Sequence, residues 1–355
     1  MGTHTYDLLM QRCLFIANKG LGSTYPNPLV GALVVYEGEI IGDGFHHKAG
    51  EPHAEVLAIK SVADQSKLSK STLVVNLEPC NHLGKTPRCT DLILNSGIKK
   101  VVIGTADPNP IVNGKGIQRL HNHGVDVITG VEKEACTKIN KRFFCFMNKK
   151  RPYIILKWAQ SKDGFMAPEK KFRTSKTPFW LSDQISRRLV HEWRHQENAT
   201  LVGAQTIIDD NPALTCRHCP KPPREEVRIV IDPELRVPKT AQIYDQKALT
   251  FVLTTRSKTN NSSKVQHLIF EESPIEIEEM MTRLYHENIH SIIVEGGPKT
   301  LGYFLEFSCW DEARIFTSPT MLKTGLLAPK IGSNYRQIKS EKSGRDLLKI
   351  LYRSD

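Results

Sequence analysis

The chain has 355 residues, of which 39% are hydrophobic and 25% are charged, a composition typical of a globular protein. This length exceeds what one hydrophobic core usually serves, so we expect two domains. The formal net charge is +11, but lysine and arginine are dispersed rather than gathered in a basic run, which favours an anionic small-molecule substrate over nucleic acid.

Membrane insertion and secretion are not expected from the sequence either. No apolar run approaches the roughly 18 residues that cross a bilayer. The eight cysteines are irregularly spaced, and the first residues do not show the pattern of a secretory signal peptide, in which a charged segment and an apolar segment precede a cleavage site. These features favour a cytoplasmic protein over a disulfide-bonded secreted one.

Helix and strand patterns alternate from residue 5 to about residue 148. The predicted elements, in chain order, are a helix over 6–18, a hairpin of strands 31–36 and 39–45, a helix after His53, a strand over 71–77, a helix over 89–95, a strand over 100–104, a helix from Gly116, a strand over 125–128 and a helix over 138–148. Strands that feed helices through short connections predict a mixed sheet between helices, with a ligand site at the strand carboxyl ends.

A second set of strands begins after the break at Lys149-Lys-Arg-Pro152, so we predict two domains, residues 1–148 and 149–355. The predicted strands of the second domain are 153–158, 199–203, 227–232, 249–253 and 291–295, with helices over about 183–196 and 275–287. The last of these strands runs into Gly296-Gly297-Pro298 and a helix from Lys299. Backbone amides there could hold the phosphate of a nicotinamide dinucleotide, although the same residues also form a common turn.

The first domain contains the pattern of a catalytic zinc site. His53, Cys80 and Cys89 supply three ligands of the types that zinc prefers, and Glu55 supplies a carboxylate outside that set. Three protein ligands leave a fourth position for water, whose pKa zinc lowers towards neutrality. The His-x-Glu and Pro-Cys pairing matches the zinc nucleobase-deaminase signature, in which Glu55 would be the catalytic acid-base.

The residues alone leave alternatives to this interpretation open. A lone His-Ala-Glu at a helix start has little weight. His53 and Glu55 converge only at such a start, which Pro52 favours. A fourth ligand such as His82 would make the zinc structural instead. The cluster of Cys216 and Cys219 has no second pair of ligands, and we predict that it is a loop.

The spacing of the two zinc cysteines separates subclasses of deaminase. Cytidine- and nucleic-acid-type deaminases usually carry Pro-Cys-x-x-Cys, whereas here eight residues separate Cys80 from Cys89. This long form resembles the deaminase half of the bifunctional riboflavin-biosynthesis deaminase-reductase. Other stretches similar to that family are 25–31, 50–55 and 107–116 in the deaminase half, and 153–164, 201–206, 210–217 and 294–298 in the reductase half. The resemblance covers nearly the whole chain.

The resemblance implies an α/β fold with an N-terminal cytidine-deaminase-like three-layer α/β/α domain and a C-terminal dihydrofolate-reductase-like α/β domain. It implies zinc-dependent deamination of 2,5-diamino-6-ribosylamino-4(3H)-pyrimidinone 5′-phosphate, then NADPH-dependent reduction of the ribosyl chain. One zinc ion per chain is expected, and a homo-oligomer is one option for the assembly. The residues that would contact NADPH are Ala159, Trp180, Thr206, Asp210, Gly297, Pro298, Lys299, Thr300, Leu301, Gly302 and Tyr303. The residues that would contact substrate are Arg194, Leu214, Arg217 and Glu295 in the reductase half, with Asn27 orienting the pyrimidine in the deaminase half.

The chain departs from the family pattern near the expected cofactor. Pro178 stands where a Ser or Thr-rich sequence is usual, and Pro233 follows Asp232 where a serine is expected, so both positions lack a hydroxyl donor. An insertion over 167–175 replaces a loop of small residues. The alternative function is a nucleic-acid or nucleoside deaminase with a non-catalytic second domain, and the cysteine spacing counts against it.

Overall fold

The computed structural model describes residues 3–81, 87–169, 179–216, 227–257 and 261–354. The chain divides into two compact units, Met1–Lys150 and Arg151–Asp355. This division lies two residues beyond the predicted boundary and within the 149–152 break. In the part of the chain that the structure describes, no helix is both long enough and apolar enough to cross a membrane.

The first unit contains a five-stranded sheet in the order β2-β1-β3-β4-β5. Its elements are α1 Thr3–Ala17, β1 Gly31–Tyr36, β2 Glu39–Phe45, α2 Ala54–Ser61, β3 Thr72–Leu77, α3 Cys89–Asn95, β4 Lys100–Thr105, α4 Lys115–Asn122, β5 Asp126–Thr129, α5 Lys133–Ile139 and α6 Lys141–Lys149. Strand β1 pairs antiparallel with β2 and with β3, whereas β3, β4 and β5 run parallel. The predicted mixed sheet is therefore confirmed.

Helices cover both faces of this sheet because successive residues of a strand point to opposite sides. Val34 of β1 and Val75 of β3 pack in one buried cluster, which also contains residues of α2, α3 and α4. The adjacent residues Leu33 and Val74 pack in a second cluster with α1 and with Cys136 of α5. The three-layer α/β/α arrangement expected for this domain is confirmed.

The single helix predicted over 138–148 is wrong, because the chain forms two helices there, α5 and α6, which meet at Asn140. The buried Asn140 side chain bonds to the backbone of a distant residue. Its Oδ1 accepts from the Leu29 amide at 2.7 Å, and its Nδ2 donates to the Leu29 carbonyl at 2.9 Å. Asparagine often interrupts a helix by such side-chain bonds to backbone. The bonds also fix the segment that carries Asn27.

The second unit contains a larger sheet whose described strands follow the order β11-β10-β9-β8-β12-β6-β13-β16-β15. Its elements are β6 Tyr153–Gln160, β7 Phe165–Ala167, α7 Gln184–Gln196, β8 Ala199–Gly203, α8 Ala204–Asp210, β9 Val227–Ile231, β10 Leu249–Thr254, β11 Val265–Ile269, α9 Ile277–His286, β12 Ser291–Val294, α10 Pro298–Glu306, β13 Glu312–Thr317, β14 Leu326–Leu327, β15 Tyr335–Ser343 and β16 Asp346–Arg353. The strands from β11 to β13 run parallel, and β16 and β15 add antiparallel pairs at one edge.

Strand β12 marks a switch point in this topology. The chain places β8, β9, β10 and β11 successively to one side of β6, then returns to insert β12 between β6 and β8. It continues to β13 on the other side of β6. Ligands of open α/β sheets bind outside the strand carboxyl ends at such points. The 294–303 segment, which begins at the end of β12, is therefore well placed to hold a ligand.

Candidate active sites

The first candidate site is formed by His53, Cys80 and Cys89. One ligand atom from each lies within 4.8 Å of the others, and no second cluster of this kind occurs among the residues described. The distance from His53 Nδ1 to Sγ is 3.2 Å for Cys89 and 3.5 Å for Cys80. Nitrogen and sulfur ligands of a tetrahedral zinc are about 3.5 Å apart, given the usual metal-ligand lengths. The donor types and their spacing therefore fit a zinc ion.

Three elements bring these ligands together. His53 is the N-cap of α2, with φ −71° and ψ 163°. Cys80 follows the carboxyl end of β3, and Cys89 is the first residue of α3. The backbone amide of Cys89 donates to Cys80 Sγ at 3.4 Å, and the amide of Thr90 donates to the Cys80 carbonyl at 3.2 Å. The start of α3 thus holds Cys80 in place.

The two thiols differ in their proton affinity. A hydrogen bond from Cys89 lowers the pKa of Cys80, burial raises it, and hydrogen bonding to His53 lowers it further, so that the result lies well below the usual value. The pKa of Cys89 is raised because its thiol donates to Cys80 and is buried. Thiolate is the form that binds a metal. Cys80 is thus the sulfur more easily ionised.

Glu55 lies beside this cluster, in the first turn of α2, and its side chain is 3% exposed. Burial raises its pKa above the ordinary value, and the neighbouring Cys80 raises it further. Hydrogen bonding to Cys89 connects the carboxyl to the ligand set. A buried carboxyl with a raised pKa beside a metal cluster is the arrangement of a general acid-base.

Asn27 is joined to the cluster through His46, a residue that no sequence motif indicates. His46 Nδ1 donates to the Pro52 carbonyl at 3.2 Å, so its Nε2 accepts from Asn27 Nδ2 at 3.0 Å. Burial lowers the pKa of His46 and favours the neutral ring that this arrangement needs. The His46 and His53 rings meet edge to face at 5.4 Å. The position of His46 just after β2 is the one signal available in the sequence.

Glu78 is a second residue of the site that no sequence motif indicates. It is 4% exposed and accepts from four backbone amides, those of Asp107, Gly114, Gly116 and Ile117, at 2.8 to 3.2 Å. Gly116 is required there because a Cβ at that position would lie 2.2 Å from the Pro79 carbonyl oxygen. The family-like stretch 107–116 therefore wraps around Glu78, two residues before Cys80.

Several predicted positions lie outside the described residues. They are His82, Pro178, Arg217 and Cys219, together with most of the 167–175 insertion. Cys216 is described, and its sulfur is in a disulfide, so it is not a thiolate ligand. Cys216 lies in neither a helix nor a strand, in agreement with the predicted loop, and the rest of that cluster lies outside the described residues.

The second candidate site lies at the carboxyl ends of β8 and β12. Gly297 is the N-cap of α10, and Pro298 is its first residue. Thr300 packs closely against Gly203 and Gly296 at the two strand ends. A Cβ at either glycine would lie only 2.6 Å from the Thr300 side chain. These glycines bring the amino terminus of α10 close to the strand ends. Such a terminus approached through glycines suits a phosphate group, so the segment fits a dinucleotide.

Glu295, Arg194 and Lys157 form a partly buried ion cluster beside this segment. Arg194 donates to Glu295 through Nε at 2.6 Å and through Nη2 at 2.9 Å, and Lys157 Nζ lies 3.3 Å from Glu295 Oε2. Burial alone would raise the pKa of Glu295, but Arg194 and Lys157 lower it to about 2. The structure thus brings together two residues predicted to bind substrate and adds Lys157.

The other predicted reductase residues lie on several elements of the second unit. Ala159 lies on β6 opposite Phe316 of β13, and Thr206 and Asp210 lie on α8. Trp180 is 55% exposed, and the Arg187 guanidinium lies over its ring at 4.8 Å.

Leu214 and Leu301 are buried in apolar clusters, and the Tyr303 hydroxyl donates to the Ile275 carbonyl. The side chains of these three residues are therefore occupied by the protein itself. Lys299 and Gly302 lie within α10.

A zinc-type deaminase site on an α/β/α unit and a dinucleotide-type site at a sheet switch point together define a bifunctional deaminase and reductase. The family model of the RibD C-terminal domain matches residues 152–348, and that of the cytidine and deoxycytidylate deaminase zinc-binding region matches residues 3–105. The chain belongs to the RibD family of riboflavin-biosynthesis enzymes. Its predicted function class, two-domain fold and cofactors, zinc and NADPH, are those of this family.

Individual relatives cover the chain from end to end. The riboflavin biosynthesis protein RibD of Aquifex aeolicus is 39% identical over 351 residues, 96% of each chain. The RibD of Escherichia coli is 35% identical and covers 89% of this chain and 88% of its own. A solved deaminase/reductase of Thermotoga maritima is 37% identical, with a TM-score of 0.88 over 99% of both chains. The nucleic-acid deaminase alternative is therefore set aside.

Proposed function

We propose that the first unit hydrolyses the ring amine of 2,5-diamino-6-ribosylamino-4(3H)-pyrimidinone 5′-phosphate and that the second unit reduces the ribosyl chain of the product with NADPH. The observation that carries this proposal is the convergence of His53 Nδ1 and two cysteine sulfurs beside the buried Glu55. The Thermotoga relative is named as a diaminohydroxyphosphoribosylaminopyrimidine deaminase and 5-amino-6-(5-phosphoribosylamino)uracil reductase, and its likeness to this chain supports both substrates.

In the deaminase, His53, Cys80 and Cys89 would hold zinc, which lowers the pKa of water so that it can attack the ring carbon. Glu55 would accept a proton from that water and return it to the departing amine, which leaves as ammonia. Its raised pKa suits a group that must both accept and release a proton. Asn27 would orient the pyrimidine, and His46 holds its amide in place.

In the reductase, NADPH supplies the hydride that converts the ribosyl chain to ribityl. We propose that Ala159, Trp180, Thr206, Asp210 and the 297–303 segment contact the cofactor. The amino terminus of α10 would face phosphate. The contacts made by Leu301 and Tyr303 would come from backbone atoms, since their side chains face the protein.

The ion cluster would bind the substrate of the reductase. Glu295, which its partners keep ionised, would accept from hydroxyl groups of the ribosyl chain. Arg194 would add positive charge for the phosphate, together with Arg217, since guanidinium groups bind phosphate oxygens well. Leu214 would contribute through its backbone.

The substrate of the pathway is a small molecule, and we propose that neither nucleic acid nor a membrane takes part. The dispersed positive charge supports a surface without a nucleic-acid stripe. We place the enzyme in the cytoplasm because its eight irregularly spaced cysteines do not suggest a disulfide framework, even though Cys216 is in a disulfide. Light scattering during size-exclusion chromatography tests whether the chain forms the homo-oligomer that we include in this proposal.

One assay tests the proposed function directly. The purified enzyme, loaded with zinc, is given the diaminopyrimidine phosphate with and without NADPH. We expect ammonia in both reactions and NADPH oxidation only after deamination. Release of ammonia from cytidine or from an oligonucleotide, but not from the diaminopyrimidine phosphate, would contradict the proposal.

A further inference from the structure

The segment 211–214 carries two non-glycine residues in the left-handed region of backbone conformation. Asn211 has φ 42° and ψ 51°, and Leu214 has φ 53°. Asparagine tolerates this region, but leucine has no polar side chain to offset its cost. Such residues persist where the surrounding structure fixes them, often at functional sites. The segment begins directly after Asp210 and ends at Leu214, which we propose contact NADPH and substrate.

Gln242 holds the first part of this segment. Its backbone amide donates to Asn211 Oδ1 at 2.9 Å, and its side-chain Nε2 donates to the Asn211 carbonyl at 2.8 Å. The two bonds satisfy both the side chain and the backbone of Asn211. They fix the residue at the point where α8 ends and the chain turns.

Arg228 holds the second part. This side chain on β9 is completely buried, and its Nη1 donates to the carbonyls of Ala213 and Gln242, each at 3.3 Å. Nη1 of Arg228 therefore connects Ala213, near the end of the 211–214 segment, to Gln242, which binds Asn211 at the start of the segment. Ala213 is adjacent to Leu214, so this bond fixes the backbone next to the second left-handed residue.

Arg228 is itself held firmly. Its Nε donates to Thr250 Oγ1 at 2.9 Å, and its Nη2 donates to Asp245 Oδ1 at 2.9 Å and to the Ala248 carbonyl at 3.1 Å. A buried guanidinium is costly unless its donors are paired. Its full pairing makes Arg228 a rigid connection between β9, β10 and the 211–214 segment.

We propose that Gln242 and Arg228 are positioning residues of the reductase, which fix the 211–214 backbone and thereby set the affinity for the phosphorylated ribosylamino substrate. This inference rests on the proposed function. In this proposal neither residue contacts the substrate. Gln242 acts through the carbonyl and side chain of Asn211, and Arg228 acts through the carbonyl of Ala213. The expected effect therefore falls on KM for the substrate rather than on kcat or on deamination.

Gln242→Ala is the first test, because Gln242 lies at the surface and its loss should leave the unit folded. The matched control is Gln246→Ala, a second exposed glutamine, whose Oε1 accepts from Ser262 Oγ at 2.9 Å, away from the segment. In Gln242→Ala we expect the KM for the phosphoribosylaminouracil substrate to rise about fivefold, as for loss of one hydrogen bond. In Gln246→Ala it should stay unchanged.

A second pair of variants separates positioning from general loss of structure. Asn211→Asp keeps an acceptor for the Gln242 amide and tolerates the left-handed region, so KM should stay near that of wild type. Asn211→Ala loses both and should raise KM. All variants should keep the wild-type rate of deamination. A loss of about 1 kcal/mol in stability should lower Tm by only about 2 to 4 °C, so the second unit should stay folded at the assay temperature.

The outcomes are distinguishable. Equal KM values in Gln242→Ala and Gln246→Ala would overturn the inference, and so would a lower kcat with unchanged KM. A wild-type enzyme that oxidises no NADPH with this substrate would instead contradict the proposed function, and this inference would fall with it.

Discussion

Glu55 is the buried carboxyl beside the three candidate zinc ligands, and its role can be separated from theirs. Glu55→Gln preserves the shape of the side chain but cannot carry a proton, so zinc should be retained while deamination falls about 100- to 10,000-fold. Zinc is measured by elemental analysis and turnover by ammonia release. Glu39→Gln, at an exposed position, is the control. Near-normal turnover of Glu55→Gln would show that another group moves the proton.

The zinc ligands allow a second test at the scale of the residue. Cys80→Ser replaces a thiolate by a poor zinc ligand, so bound zinc and deamination should both be lost. Reduction of the separately supplied uracil substrate should continue. Cys309→Ser is the matched control, because Cys309 is a free cysteine of the second unit. Equal zinc loss in both variants would contradict the ligand assignment.

Glu295 connects the reductase site to stability. Its pKa is lowered to about 2 in the folded chain, below that of an unfolded glutamate, so it stabilises the fold at neutral pH. The contribution, about 3 kcal/mol, is complete above about pH 4.5 and is lost as pH falls towards about 2. Glu295→Gln should therefore lower the free energy of unfolding at pH 7 by a few kcal/mol.

The pH series provides the check on that prediction. In urea unfolding, the difference between wild type and Glu295→Gln should shrink as pH falls from about 4.5 towards 2, since protonation removes the same charge. A difference that stays constant over this range would mean that the ion cluster does not lower the pKa of Glu295. At pH 7 without urea, Glu295→Gln should deaminate at the wild-type rate.

At the scale of the element, several strands can be predicted from the sequence, but β11, β13, β15 and β16 are not among the predicted ones. The first hairpin is predictable with its turn, because Glu37 and Gly38 separate two strand patterns, and both take positive φ. Strand β15 escapes prediction because its residues are mostly polar and exposed, so no apolar pattern marks it. The helix break at Asn140 could not be predicted either, because it depends on a bond to Leu29, which is 111 residues away in the sequence.

The same reasoning applies to the candidate sites. His53, Glu55, Cys80 and Cys89 can be predicted because their residue types and local spacing already indicate zinc chemistry. Lys157 cannot be predicted in the same way, because its place in the ion cluster depends on Glu295, which is 138 residues away in the sequence. Short motifs carry the chemistry, whereas supporting contacts arise only from the fold.

Glu78 provides a test of the element that supports Cys80. Glu78→Gln retains one acceptor oxygen but replaces the other by a donor, which cannot accept from amides of the 107–117 stretch. We expect a loss of about 2 kcal/mol in stability and faster zinc release to a chelator. Zinc release at the wild-type rate would show that the Cys80 loop does not depend on this anchor.

At the scale of the whole molecule, the division after Lys150 predicts that the two activities can be separated. Helix α6 ends at Lys149, and Lys150 has a left-handed backbone with φ 52°. Arg151 belongs to the second unit, because it binds Asp311 through two hydrogen bonds of 2.7 and 2.8 Å. Fragments 1–150 and 151–355 should therefore each contain the contacts of one site.

We expect fragment 1–150 to bind zinc and to deaminate the pyrimidine, and fragment 151–355 to unfold cooperatively and to bind NADPH. Arg151→Ala in the second fragment is a useful variant. It breaks the paired bond to Asp311 and should destabilise this fragment by about 3 kcal/mol while leaving the first unaffected. Binding is measured by the change in NADPH fluorescence. A second fragment that folds but binds no NADPH would show that the cofactor site is not contained in residues 151–355, and the assignment of the 297–303 segment would then be wrong.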